Sequence, residues 1–478
     1  MRTVLDIFRE LSAIPRPTFH EEQIAKYLLT YGRQIGCKGC CDEKGNVILE
    51  KNPVGAKPEE CVILQAHMDM VCKSDNGYLY EPERDPIQVT VEDGYLMAKN
   101  STLGADDGIG IAVILKLLED AKVSYPLRAI FTVEEECGMG GAKALSPQYL
   151  AGKYFVGLDW VSSKSTCVGC AGSAILIAEK HAEYVQLRGN IGVEIVVTGL
   201  AGGHSGMRIH CSGNAIYACA TVLHLLEQEG IPFCLTDFEG GIAGNVIPDT
   251  CRCTLALPEK MYKKLQEVLS DPQLMSCLKL SEEDFLHAAL QFDRVPCPKT
   301  GWSKKDTLAL ISFLRTVPNG ILDVEKTEKS FLTTQSSNIG KISLKHKGKI
   351  QIMARANAES NLTILCDKIA EVGQQCGMKV VMVSRDPCFQ SNIHEELLTR
   401  ARAIYRRQNG KELKIDKIHA GMECGYFQQK NRKLQMIVLG AELIDIHTTK
   451  ERMELGSEET VYQLLYELLQ EFESGKEA

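Results

Sequence analysis

Histidine and acidic residues follow several short apolar runs in this chain, and this pattern constrains the fold more than any other feature. Each apolar run is typical of a buried strand, and open α/β sheets form their binding sites beyond the carboxyl ends of such strands. The pattern therefore favours a sheet with imidazole and carboxylate groups clustered at one edge. The segments concerned are residues 62–69, 102–108, 132–136, 157–159 and 444–447.

The composition is that of an ordinary globular protein with more than one domain. Hydrophobic residues make up 44% and charged residues 24% of the 478 residues, a length that exceeds what one core usually organises. The net charge of −8 argues against binding to nucleic acid or to an anionic membrane. The longest apolar stretch is too short for a membrane span, and the N-terminus is too charged for a signal peptide, so we expect a cytoplasmic protein.

Cysteine is frequent, with 19 residues. In a cytoplasmic protein, most of these side chains are expected to be reduced thiols. Two C-x-x-C pairs occur, Cys37/Cys40 and Cys167/Cys170, but neither has the second Cys or His pair that a structural zinc site needs. We interpret both pairs as chance spacings in a cysteine-rich chain.

The order of strand-like and helical segments predicts two domains. Up to residue 183 the alternation indicates a mixed, mostly parallel sheet flanked by helices. From residue 184 the pattern changes to repeated strand–helix–strand rounds, which are typical of a separate α+β domain. The first pattern returns after Pro387. We therefore predict an α/β domain of residues 1–183 and 386–478, with an inserted α+β domain of residues 184–385.

The first apolar run ends at His67 and Asp69. Residues i and i+2 of a strand point to the same side, so His67 could bind a metal ion while Asp69 orients a neighbouring group. Asp106 stands at the beginning of a predicted helix, where a carboxylate stays ionised and could bridge two cations. An ordinary helix N-cap is the alternative for Asp106.

Three adjacent glutamates, Glu134 to Glu136, follow another apolar run. They repel one another unless cations compensate them or solvent surrounds them, and the glycines that follow favour a closely packed loop over a solvated one. The complete set suits two divalent cations, each with one histidine and one terminal carboxylate and with Asp106 shared. Mixed ligation of this kind favours Zn²⁺, with Mn²⁺ or Co²⁺ as alternatives. The candidate metal ligands are His67, Asp106, Glu136, Asp159 and His447.

These segments resemble the dinuclear zinc metallopeptidase superfamily that includes aminoacylases, carboxypeptidase G2-like enzymes and carnosinases. Within it the chain is most similar, over essentially its whole length, to the bacterial Xaa-His dipeptidases, also called aminoacyl-histidine dipeptidases. The most specific motif is Ile-His-Ala-Gly-Met-Glu-Cys-Gly at residues 418–425. The others are the sequences at 67–69, 102–110, 132–136, 202–206 and 245–248, and the segment around His447.

The resemblance implies a zinc-exopeptidase-like catalytic domain and a ferredoxin-like lid, through which two chains would form a homodimer. It also implies a cis peptide between Asp106 and Asp107. Glu135 would act as general base and then general acid, supported by Asp69 through the metal-bound His67. His204, on the lid, would stabilise the oxyanion. The residues implied in substrate binding are Asn245, Arg355 and, for a substrate amino group, Glu423.

The function predicted from the sequence is metal-dependent hydrolysis of dipeptides, with Xaa-His dipeptides as one candidate class. Residues 160–163 and 385–388 depart from the pattern of the family, which weakens the case for that class. One alternative is a deacylase or amidohydrolase that acts on N-acyl amino acids or short peptides with the same fold. Another is a non-catalytic binding protein that retains the fold.

Overall fold

The computed structural model describes residues 2–51, 61–120, 122–188, 190–326, 331–345 and 347–475. The helices are α1 (Val4–Ser12), α2 (Glu22–Gln34), α3 (Ala105–Glu119), α4 (Gly140–Ala144), α5 (Ala215–Gln228), α6 (Tyr262–Leu269), α7 (Glu282–His287), α8 (Lys304–Thr316), α9 (Glu359–Gln375), α10 (Glu396–Asn409), α11 (Cys424–Lys430) and α12 (Ser457–Glu473). Short 3₁₀ helices lie at Pro147–Leu150, Glu259–Met261 and Leu274–Leu278. Across the part of the chain that the structure describes, no helix is both long and apolar enough to cross a membrane.

The strands lie between these helices, some of them singly and others in runs. They are β1 (Lys38–Cys41), β2 (Val47–Lys51), β3 (Val62–His67), β4 (Val89–Glu92), β5 (Tyr95–Ala98), β6 (Leu127–Thr132), β7 (Tyr154–Gly157), β8 (Ser165–Cys170), β9 (Gly172–Lys180), β10 (Tyr184–Gln186), β11 (Asn190–Thr198), β12 (Gly203–His204), β13 (Cys234–Gly240), β14 (Val246–Ile247), β15 (Cys251–Pro258), β16 (Ala289–Val295), β17 (Thr300–Trp302), β18 (Gly320–Lys326), β19 (Phe331–Ser343), β20 (Gly348–Ala356), β21 (Lys379–Asp386), β22 (Phe389–Gln390), β23 (Lys414–Ile418), β24 (Gln435–Val438), β25 (Leu443–Ile444) and β26 (Arg452–Glu454).

The chain divides into two compact units. The first contains Met1–Cys170, Phe389–Ile418 and Met422–Ala478, and the second contains Ala171–Cys388 and His419–Gly421. The second unit begins earlier than the predicted inserted domain of residues 184–385, because β9 pairs with β20 and β21 of that unit. The assignment of this region as a lid and dimerisation domain stays a prediction.

The first unit is built on a mixed nine-stranded sheet with the order β1-β2-β6-β3-β7-β24-β8-β22, and β23 lies beside β8. The four neighbouring strands β6, β3, β7 and β24 run parallel to one another, whereas the strands at both margins include antiparallel pairs. Every residue of β3, β6 and β7 is buried, as expected for parallel strands covered on both faces. The predicted mixed α/β fold is confirmed.

Helix α3 is the central helix of this unit. It is buried along nearly its whole length, so it carries apolar residues on every side, and it packs against α1, β3 and α12. Its first turn is irregular, because Gly104 has φ +67° and Asp106 and Asp107 depart from helical geometry. The peptide bond between Asp106 and Asp107 is cis, as the resemblance implied. The irregular turn brings Asp106 to the carboxyl end of β3.

The second unit is an α+β structure with an antiparallel nine-stranded sheet. Its strands follow the order β16-β11-β15-β13-β19-β20-β9-β21, with β18 beside β19. Helices α5, α8 and α9 contribute their apolar faces to a separate hydrophobic core with the inward residues of this sheet. A short two-stranded ribbon, β12 with β14, carries His204, and Asn245 directly precedes β14.

Candidate metal centre

The candidate ligands of the first unit gather at the carboxyl ends of neighbouring parallel strands. His67 is the last residue of β3, and Glu136 and Asp159 follow the ends of β6 and β7. His447 follows the short strand β25, which comes after β24 in the chain. Because β6, β3, β7 and β24 are adjacent and parallel, these ends share one edge of the sheet.

Asp106 stands between the two histidines. Its Oδ1 lies 2.9 Å from Nε2 of His67, and its Oδ2 lies 3.0 Å from Nε2 of His447. Ligand atoms of His67, Asp106 and Glu136 all lie within 4.8 Å of one another. One carboxylate therefore faces two separate imidazoles, an arrangement suited to a carboxylate shared by two cations.

Glu136 supplies a second carboxylate beside His447. Its Oε1 lies 3.0 Å from Nε2 of His447, but that nitrogen forms its hydrogen bond with Asp106. Within the described residues, Oε1 of Glu136 is buried and has no hydrogen-bond partner. A buried, unpartnered carboxylate oxygen is costly unless a positive charge compensates it, so this position fits a cation.

The acidic residues of the site raise one another's pKa. Burial, together with repulsion from Asp106 and Glu136, raises the pKa of Asp159 to about 7. Burial and the nearby carboxylates also raise the pKa of Glu135 well above its usual value. Divalent cations would reverse these shifts, because they stabilise the ionised form of each carboxylate.

Both histidines lie in surroundings that stabilise their protonated form. Although burial opposes it, the hydrogen bond to Asp106 raises the pKa of His67 well above its usual value. The pKa of His447 rises to about 10 in the same way, because Asp106 and Glu136 outweigh the effect of burial. The donor set of two imidazoles and several carboxylates therefore fits divalent cations.

Asp69 holds the backbone of the glutamate loop. Its Oδ1 accepts a hydrogen bond from the N–H of Glu135 (3.0 Å), and its Oδ2 accepts one from the N–H of Glu136 (3.2 Å). Oδ1 also lies 3.6 Å from Nδ1 of His67, whose closer contact is the carbonyl oxygen of Asp69 itself, at 3.1 Å. The link from Asp69 to Glu135 is thus direct as well as through His67.

Glu423 belongs to a buried network that the sequence did not indicate. Its Oε2 accepts hydrogen bonds from Nε2 of Gln65 (2.7 Å) and Oγ1 of Thr132 (2.6 Å). Its Oε1 is buried and, within the described residues, has no hydrogen-bond partner. Burial raises the pKa of Glu423 to about 8, and its charge in turn raises the pKa of Glu135. The only signal in the sequence was the motif that contains Glu423.

The remaining predicted residues lie together in the second unit. His204 is on β12, which pairs with β14, and the carbonyl oxygen of Asn245 accepts a hydrogen bond from the N–H of Ser205 (2.8 Å). Arg355, on β20, has its Nη2 3.3 Å from Nε2 of His204. The structure thus brings His204, Asn245 and Arg355 into one neighbourhood of this unit.

His419, also in the second unit, was not singled out in the sequence although it lies in the most specific motif. Its Nε2 is 2.8 Å from Oγ of Ser336, and its Nδ1 is 3.1 Å from Oδ1 of Asn357. Burial, with the charges of Arg355 and His204, lowers the pKa of His419 to about 4. His419 is therefore neutral at physiological pH.

Comparisons with known proteins agree with this geometry. The model of "Peptidase family M20/M25/M40" matches residues 63–471. The cytosol non-specific dipeptidase of Escherichia coli is 29% identical over 471 residues, which cover 98% of this chain and 96% of that protein. The crystal structure of an aminoacylhistidine dipeptidase from Vibrio alginolyticus matches with a TM-score of 0.83 and 27% identity, over 98% of this chain and 96% of the other. An aminopeptidase PepT from Bacillus cereus, at 16% identity and a TM-score of 0.56, shares the fold over 98% of both chains. The chain belongs to peptidase family M20/M25/M40.

Proposed function

We propose that this protein is a metal-dependent dipeptidase, with Xaa-His dipeptides among its candidate substrates. The observation that carries the proposal is the carboxylate of Asp106, which faces His67 with one oxygen and His447 with the other. The full-length similarity to two proteins named as dipeptidases supports the substrate class.

The proposed centre holds two divalent cations, with zinc preferred and manganese or cobalt as alternatives. Asp106 would be shared between a group with His67 and Asp159 and a group with His447 and Glu136. The 3.0 Å approach of His447 to both Asp106 and Glu136 supports the second group. When bound, such cations supply Lewis-acid polarisation of the peptide carbonyl and of the attacking water.

Glu135 is the proposed general base. It would take a proton from the attacking water and return it to the leaving amine. The position of Glu135 supports this role. Its backbone N–H donates a hydrogen bond to Oδ1 of Asp69 (3.0 Å), which holds Glu135 next to the candidate ligand Glu136.

The family resemblance supports four residues for binding the substrate and its developing oxyanion. Arg355, which is 4% exposed, offers a guanidinium suited to the terminal carboxylate of a dipeptide. Asn245 would assist in holding the substrate, and His204 would donate a hydrogen bond to the developing oxyanion. Glu423 would contact the substrate amino group through Oε1, the oxygen that lacks a partner among the described residues.

We also propose a cytoplasmic location and a homodimer formed through residues 184–385. The location is supported by the relative from Escherichia coli, which is named a cytosol dipeptidase. The homodimer follows from the family resemblance and is tested by the mass of the protein in solution, where a monomer would contradict it.

Hydrolysis of a substrate panel tests the function. β-Ala-His, Gly-His, Leu-Gly and an N-acetyl amino acid are incubated with the protein loaded with zinc or manganese. The Glu135→Ala variant serves as the control, and it should bind metal but lose turnover by several orders of magnitude. Cleavage of the dipeptides by the native protein, but not by Glu135→Ala, would support the proposal. Cleavage of only the acetylated compound would favour the deacylase instead, and near-normal turnover by Glu135→Ala would refute the assigned base.

A further inference from the structure

The carboxylate of Glu451 accepts hydrogen bonds from four consecutive backbone N–H groups. Its Oε2 accepts from Leu103 (2.9 Å) and Gly104 (3.0 Å), and its Oε1 accepts from Ala105 (2.9 Å) and Asp106 (3.4 Å). Glu451 is only 2% exposed, so these amides take the place of water around its charge. A carboxylate in this position acts as a remote cap for the beginning of α3.

The loop has no acceptor of its own for these N–H groups. The N-cap residue of α3 is Gly104, which has no side chain to cap the helix, and its left-handed φ of +67° turns successive N–H groups toward one side. Asp106, with φ −81° and ψ 108°, does not have helical geometry, so the regular pattern of helix hydrogen bonds does not define its orientation. The acceptor comes instead from a residue 345 positions later in the chain than Asp106.

Arg16 links a carbonyl oxygen of the same loop to two carbonyl oxygens that follow β3. Its Nη1 donates to the carbonyl oxygens of Met68 (2.9 Å) and Asp69 (3.1 Å), and its Nη2 donates to that of Gly104. Arg16 is 3% exposed, and a Cβ atom at Gly104 would lie 2.8 Å from its Nη2. The loop is therefore held on its N–H side by a buried anion and on its carbonyl side by a buried cation.

We propose that Glu451 is a positioning residue for the metal centre, which holds the backbone of residues 103–106 so that Asp106 faces both histidines. Glu451 follows His447 by four positions, and its own N–H donates to the carbonyl oxygen of Thr448 (3.1 Å). One short segment thus carries a proposed ligand and the acceptor that orients the shared ligand. The inference rests on the proposed function insofar as it assumes that the site binds metal.

The affinity of the metal-free protein for Zn²⁺ tests this inference without any substrate. In Glu451→Gln an NH₂ group replaces one oxygen and faces two backbone N–H groups that then lack an acceptor. We expect its Zn²⁺ affinity, measured by competition with a chromogenic chelator, to fall about 10- to 100-fold, as for other residues that orient metal ligands. The matched control is Glu454→Gln, at a side chain 48% exposed that faces Lys164, and it should bind Zn²⁺ like the wild type.

A second variant covers the case in which Glu451→Gln does not fold. Glu451→Asp keeps the negative charge on a shorter side chain, and we expect an affinity between those of the wild type and Glu451→Gln. Wild-type Zn²⁺ affinity in a folded Glu451→Gln or Glu451→Asp protein would overturn the positioning role. If affinity falls as expected but the wild type cleaves no dipeptide, the positioning role stands and the proposed function fails.

Discussion

Replacement of Asp69 by asparagine tests how the site holds its proposed base. Asp69 is fully buried, and its two oxygens together accept three hydrogen bonds, from the N–H of Glu135, the N–H of Glu136 and the hydroxyl of Thr18. The best orientation of asparagine keeps its oxygen at the position that accepts two of these bonds. Its NH₂ group then faces the N–H of Glu135, and that hydrogen bond is lost.

The expected magnitude follows from that single loss. A hydrogen bond to a charged group contributes about 1.5–3 kcal/mol, which corresponds to roughly 10- to 150-fold in a rate or equilibrium constant. Because the lost bond holds Glu135, we expect kcat for dipeptide hydrolysis to fall within this range at saturating metal. KM should change little, because Asp69 is buried beneath the glutamate loop and is not among the proposed substrate contacts.

The assay compares kcat, KM and the thermal unfolding midpoint of the Asp69→Asn protein with those of the wild type. Asp93→Asn is the matched control, because Asp93 is exposed in a turn with φ +49°, a conformation that asparagine tolerates. A lower unfolding midpoint with unchanged kcat would refute the reasoning, since Asp69 would then stabilise the fold without positioning Glu135.

Three further predictions concern the metal and its surroundings. Glu136→Gln should reduce the number of Zn²⁺ ions bound per chain, as measured by metal analysis after dialysis, and an unchanged number would contradict the assignment of Glu136. The pKa of His447 is raised from 6.5 to about 10 in the metal-free site, so its contribution to stability is complete below pH 6.5 and is lost as the pH rises toward 10. The unfolding temperature of the metal-free protein should therefore fall over this pH range. Zn²⁺ binding at pH 7 should also release protons, which calorimetry in two different buffers would detect. If no protons are released, the raised pKa of His447 is contradicted. Gly104→Ala should lower the unfolding temperature and the Zn²⁺ affinity together, because a left-handed conformation costs alanine about 1–2 kcal/mol and its Cβ would lie 2.6 Å from Sδ of Met70. Wild-type values for this variant would show that the loop tolerates a side chain.

The mixed α/β fold was predictable because its strands are local features of the sequence. Strands such as β3 and β6 are buried on both faces and read as short apolar runs, so the residues after them could be predicted to share one edge. The predicted boundary at residue 184 leaves β9 with the first domain, whereas the structure groups it with the second unit. Its pairing with β20, which lies far away in the sequence, determines the assignment.

The candidate ligands could be predicted from the sequence, but the residues that hold the loop around Asp106 could not. His67 ends a recognisable strand, and Glu136 and Asp159 follow two others, so the chemistry at the edge of the sheet could be inferred from residue type and position alone. Arg16 and Glu451 bind backbone groups of a loop remote from them in the sequence. A contact to a backbone N–H or carbonyl group does not require a particular residue type at that position, so these contacts could not be inferred from the sequence.

The sequence by itself determined which side chains are available for metal chemistry, because imidazole and carboxylate groups keep their ligand character wherever they lie. The tertiary structure alone decided their geometry. The turn before α3 directs the two oxygens of Asp106 to His67 and His447, and Glu451 holds that turn through four backbone N–H groups. The physical reason is that these distances depend on loop dihedral angles and on contacts between distant segments, which form only when the whole sheet has assembled.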